Sequence, residues 1–126
     1  MTRSNPVTQN REWGFFGTMM QAGYNAFEAW DAASAAIADA IDDHEGYYAP
    51  EGIRDFLDSR HGRHFADTVA SNVNTGQTFE AALTAAIAQW QGWKIGPRLY
   101  REEGIPAGLP YLTGWVQHFA ILNEAA

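Results

Sequence analysis

The ten residues RHGRHFADTV, from Arg60 to Val69, hold two of the chain's four histidines and two of its eight Lys and Arg residues. His61, His64 and Asp67 stand three apart. On a continuous helix of 3.6 residues per turn their side chains therefore fan over about 120°. Two imidazoles, one carboxylate and a water make a workable zinc set. The four-residue spacing of an HExxH site is absent, however, and Gly62 interrupts the pattern between the histidines. His44 or His118 completes a metal site only where the tertiary fold delivers it. A histidine titrating near neutral pH with Asp67 beside it is also a plausible general base. No nucleophile elbow, phosphate loop or carboxylate pair accompanies it, and Gly14 and Gly17 are not followed by the rest of a dinucleotide fingerprint. The expectation is no catalytic residue, no metal and no cofactor.

Two readings of the cluster remain. Arg60, His61, Arg63 and His64 form a small positive island that suits an anionic group on a partner. Alternatively, Arg60 and Arg63 serve as counterions for Asp55, Asp58 and Asp67, and the histidines line a helix junction. The second reading is the more economical, because its claim is rigidity and it needs no ligand.

The surroundings of the island are acidic. Between Glu28 and Asp58 lie nine acids and a single base, Arg54, within a chain whose formal charge is −7. Carboxylates gathered at a helix C-terminus, such as Asp39, Asp42, Asp43 and Glu45, oppose the macrodipole at a cost of about 0.3–1 kcal/mol each. A cost of that kind suggests use. Asp39, Asp42, Asp43, Glu45 and Asp58 are accordingly the expected acidic contacts to a partner, with Arg60, His61, Arg63 and His64 beside them. The same field repels a phosphate backbone, so direct nucleic-acid binding is not expected. A basic protein surface is the natural complement.

These groups need a scaffold, and the chain has the means to build one. Its 126 residues, 46% apolar and with seventeen aromatics, suffice for a core without disulfides, and there is no cysteine. Residues 1–10 are polar and contain Pro6, which predicts a flexible N-terminal arm; residues 11–126 are expected to form a single helical domain. WGFFGTMM predicts a short or irregular element, since each glycine weakens a helix by about 1 kcal/mol. Asn25 and Glu28 have capping-box spacing, and Phe27, Trp30, Ser34, Ile37 and Ile41 then step by three and four. Pro50 suits a first helical position, Ile53, Phe56 and Leu57 mark an inner face, and Arg54 and Asp58 are spaced for an outward ion pair. Phe65, Val69 and Val73 make the next stripe, closed by Gly76; Thr78 caps a helix carrying Phe79, Leu83, Ile87 and Trp90. RLYREEG adds one or two turns, IPAGLP is a rigid linker, and a last helix from Pro110 presents Leu112, Trp115, Val116, Phe119 and Leu122, with Gly114 a mild flaw. No segment alternates as a strand does. The fold class expected is all-α, a compact single domain of five or six helices. No run is long and apolar enough to span a membrane, and the N-terminus lacks the apolar core of a secretory signal; a cytoplasmic protein is expected.

Four stretches carry a resemblance: WGFFGTM, IRDFLDSRHGRHFADTVA, AAIAQWQGWKIG and GIPAGLPYLTG. Across roughly residues 13 to 119 the chain resembles a family of short, mostly uncharacterised accessory proteins encoded on plasmids and integrative elements of proteobacteria, often among antirestriction genes. That resemblance implies an acidic, stoichiometric protein-binding inhibitor of a host defence system, of the anti-CRISPR or antirestriction type. It implies no catalytic residue. Two other classes stand beside it: a small metal-dependent or acid-base enzyme using His61, His64 and Asp67, and a structural or regulatory homodimer joined through an aromatic patch.

Overall fold

The computed structural model describes residues 14–41 and 49–125, and the expectations placed on residues 1–10 and on Asp42, Asp43, His44 and Glu45 lie outside the described residues. Seven helices run through the described residues: α1 Phe15–Gln21, α2 Ala26–Ile41, α3 Pro50–Asp58, α4 Arg60–Asn74, α5 Phe79–Gly92, α6 Pro97–Glu103 and α7 Tyr111–Ala125. The only β pairing among them is a lone bridge between Lys94 and Pro110. The chain is all-α, as its periodicity predicts. Five or six helices were expected, and the count is corrected to seven because both short candidates, α1 and α6, complete two turns. Gly14 stands outside α1 as its N-cap, where it costs the helix nothing, and Thr18 Oγ1 donates back to its carbonyl at 2.9 Å. α6 starts with Pro97 in its first turn and stops at Gly104, which has φ +78°.

Local chemistry sets most boundaries. Asn25 Oδ1 accepts from the backbone N–H of Phe27 at 3.1 Å and of Glu28 at 3.2 Å, satisfying two donors that the start of α2 leaves open. Thr78 Oγ1 does the same for Ala81 at 3.1 Å. Gly76, at φ +105°, turns the chain between α4 and α5.

Four helices meet at one aromatic centre. Phe65 of α4 lies 6.1 Å from Phe15, 6.0 Å from Phe56 and 5.7 Å from Trp90, measured between ring centroids, and the last two meet it edge to face. Such geometry adds about 0.5–1.5 kcal/mol per pair to the area buried. α7 packs chiefly along α3, where Gly52 lets Ala120 approach; a Cβ on Gly52 would stand 2.8 Å from that methyl group. Gly114 has the same purpose: a side chain there would collide with Ile95, which is buried with Ile105 under the start of α7. The linker before α7 is pinned to the residues after α5, with Tyr111 N donating to Trp93 O at 2.7 Å and Gly108 N to Ile95 O at 2.7 Å. Among the described residues no helix is long and apolar enough to cross a membrane.

Candidate functional site

RHGRHFADTV does not break at its glycine. The break lies three residues earlier, at Ser59, whose backbone is extended and whose hydroxyl serves both neighbours. Ser59 Oγ donates to the carbonyl of Phe56 at 2.6 Å and accepts from the N–H of His61 at 3.1 Å and of Gly62 at 3.3 Å. One side chain thus closes α3 and opens α4. Gly62 sits in the first turn of α4, and a Cβ there would strike the Leu57 carbonyl. Gly14, at the head of α1, is pressed against the backbone of Leu57 and Asp58 in the same way. Three chain segments meet at that point, and only glycine fits at two of them.

The helix then spreads the cluster. His61 is turned inward and partly buried, while Arg60, Arg63, His64 and Asp67 are exposed. The imidazole of His61 stacks on the indole of Trp115 with centroids 3.5 Å and planes 25° apart, and His118, one turn further along α7, meets the same indole edge-on at 6.0 Å. The fold therefore brings His118 toward His61, across Trp115. It takes His64 and Asp67 outward. Among the described residues no group of three His, Asp or Glu side chains is placed to hold a metal.

The electrostatics follow from that packing. Burial, reinforced by the charges of Arg60, His64 and His118, lowers the His61 pKa from 6.5 to about 4. Burial lowers His118 as well, and Glu103 partly opposes the shift. Both rings are neutral at pH 7. A base as weak as His61 gives little driving force for proton abstraction near neutrality, and its face is occupied by Trp115. The nearby hydroxyl of Ser59 is committed to Phe56 O. This corner joins α4 to α7.

The acidic residues divide differently from the way their numbers suggest. Asp39 is exposed, as are Glu28 and Asp31 on α2 and Glu51 on α3. Asp58 is 5% exposed, at the junction of α3 and α4, and so contributes little to an acidic surface. Arg54, expected to pair with it, instead places Nε 3.6 Å from Asp55 Oδ1. No Lys or Arg occurs from residue 12 to residue 53.

Between α2 and α3 lies a groove of about 550 Å³. Trp30, Ser34, Ala35 and Ala38 form one wall, and Pro50, Ile53 and Arg54 the other, with Asp31 and Glu51 at the rim. The short alanines open this space: at 35 and 38 nothing longer than a methyl group fills it. The spacing was visible in the sequence, since Trp30, Ser34, Ala38 and Asp31, Ala35, Asp39 are two adjacent rows at intervals of four. What sequence does not show is that α3 stands beside these rows without covering them. A second hollow, of about 310 Å³, lies on the other flank of α2 between Glu28, Ala32 and Phe79.

No family model matches the chain, and neither the curated proteins nor the solved structures contain a match to it.

Proposed function

We propose that the protein acts stoichiometrically on a protein partner, its acidic helical surface competing with nucleic acid for a basic surface on a host defence complex of the anti-CRISPR or antirestriction type. The observation that carries this reading is the outer side of α2. Glu28, Asp31 and Asp39 are exposed along it, the helix has no basic residue, and Phe27 stands 68% exposed at its first turn. A large apolar side chain among carboxylates is the composition of a protein contact, with the aromatic as anchor and the charges setting partner choice and encounter rate. The mobile-element role adds the resemblance of the four sequence stretches to that surface. Arg60, Arg63 and His64 are exposed on α4, and of these Arg60 and His64 are the secondary contacts of this reading, whereas His61 is engaged with Trp115.

The test is inhibition of purified restriction and CRISPR nuclease complexes by the full chain at rising ionic strength. Inhibition saturating at one chain per complex, weakening with salt and lost in the triple variant Glu28→Lys, Asp31→Lys, Asp39→Lys, is the expected outcome. Full activity of the triple variant, or no effect on any such complex, rejects the reading.

A further inference from the structure

We infer that the groove between α2 and α3 is the seat of an amphipathic, positively charged helix supplied by the partner. This inference rests on the reading of the protein as a binder of basic protein surfaces and adds the place and the form of the occupant.

Charge comes first. Asp31 and Glu51 stand at the groove's edges from opposite walls, and Asp39 continues the row of Asp31 and Ala35 by one more turn of α2. Among the described residues that line the groove the one cation is Arg54, whose Nε lies 3.6 Å from Asp55 Oδ1. The walls between the carboxylates are mainly apolar, with Trp30, Ala35, Ala38 and Ile53 around Ser34. An occupant with an apolar stripe flanked by Lys or Arg satisfies both features. A second copy of this chain does not, because it would bring the same carboxylates to face themselves. Residues 42–48 of the chain itself include Asp42, Asp43 and Glu45 and no Lys or Arg, so they lack the required charge too.

Form follows from the walls. Both are helices, whose backbone N–H and C=O groups are bonded within the helix and offer no ladder to an incoming strand. An extended peptide laid here would lose the hydration of its backbone and gain no backbone partner in exchange. A helix brings its backbone hydrogen bonds with it. The small side chains at 34, 35 and 38 allow close approach of a third helix to the first two. From Trp30 to Ala38 the α2 wall rises about 12 Å at 1.5 Å per residue, which matches about two turns of an occupant.

The experiment uses the ¹⁵N-labelled full chain and three synthetic peptides. One is an amphipathic Leu–Lys helix of about five turns, one is a scramble of the same composition, and one is the same helix with Glu for every Lys. The expected result is amide shifts concentrated at Trp30 to Ala38 and at Ile53 and Arg54. Affinity for the Leu–Lys helix should exceed that for the scramble by about tenfold, and the Glu helix should not bind. Ala35 is exposed, so Ala35→Arg should leave the helical circular dichroism intact and weaken binding by about tenfold; Ala81→Arg, on exposed α5, should not. Equal binding of scramble and amphipathic helix, shifts centred elsewhere, an unaffected Ala35→Arg variant or no binding at all would overturn the inference. The two ideas separate in the nuclease assay. Inhibition retained by Ala35→Arg removes the groove and keeps the inhibitor, whereas peptide seating without inhibition of any nuclease keeps the groove and removes the inhibitor.

Discussion

His61 of α4 lies face to face with Trp115 of α7, ring centroids 3.5 Å apart, and this stack ties the last helix to the middle of the fold. Trp115 is 1% exposed and also stacks with Phe119 at 6.1 Å, so the imidazole closes one side of an aromatic column. A charged ring in that position would face Arg60, His64 and His118 at once. The neutral ring is the form that packs.

Stability should therefore fall with acid. The folded pKa of His61, about 4, lies below its unfolded value of 6.5, so the unfolded chain takes up the proton first. The contribution of neutral His61 is present above pH 6.5, declines as pH falls and is gone by about pH 4. The ring is only partly buried, and solvent screening holds the loss to about 1–2 kcal/mol. Urea denaturation at pH 7 and pH 4.5 measures it. His61→Phe, which keeps an aromatic face but cannot titrate, should flatten the dependence in that window; an unchanged slope would remove His61 as its source.

Gly62 should tolerate no side chain. A Cβ there meets the backbone of Leu57, which cannot rotate away, so Gly62→Ala is expected to cost about 3 kcal/mol or more. Gly92, at the end of α5, faces open space, and Gly92→Ala should be neutral or gain up to about 1 kcal/mol from helix propensity. Equilibrium unfolding of the two variants, compared with the parent, decides whether space or propensity governs these glycines.

The elements were legible because they are local. Asn25, Pro50, Gly76 and Thr78 act on backbone within a few residues, and each does in the fold what its type predicts. The buried faces were legible where large residues carry them, as with Phe56, Leu57, Phe65 and Val69. α2 departs from this. Its periodicity predicts an inner stripe through Phe27, Trp30, Ser34, Ile37 and Ile41; Ile37 and Ile41 are buried, but above them Ala26, Ala29 and Ala33 take the buried positions while Trp30 and Ser34 are half-buried and Phe27 is exposed. The two stripes are adjacent rows of one helix, and hydrophobicity favours the bulkier row while close packing against α1 and α5 selects the smaller. The meeting of His61 with Trp115 and His118 was not legible, because it depends on how α7 returns to the body after the linker. The groove was illegible for the same reason, since it depends on the placement of α3 beside α2.

Gln91 and Thr113 make a reciprocal clamp, and it should be worth about 1–3 kcal/mol. Gln91 Oε1 accepts from the Thr113 N–H at 2.9 Å and Gln91 Nε2 donates to Thr113 Oγ1 at 2.7 Å, so one amide from α5 satisfies two groups in the first turn of α7. Thr113 is 8% exposed, and water replaces a lost partner poorly there. Gln91→Ala should lower the midpoint of thermal unfolding and speed exchange of the Thr113 amide. Gln91→Glu should restore most of the loss at pH 7, because a carboxylate accepts from the amide, the threonine hydroxyl can donate in its turn, and a helix N-terminus favours negative charge.

The two alanine rows of α2 can be told apart by adding the same side chain to each. Ala33 is fully buried against a filled core, and Ala33→Leu must push neighbouring helices apart, at an expected cost of about 1–3 kcal/mol. Ala35, two residues on, is exposed in the groove wall, where leucine meets solvent and the shallow face of α3; Ala35→Leu should change stability by less than about 0.5 kcal/mol. At about 4 °C per kcal/mol for a chain of this size, the pair should differ in Tm by several degrees in parallel calorimetric scans. Equal destabilisation by the two substitutions would mean that the groove is closed in solution, and the space assigned to a partner would then belong to the core.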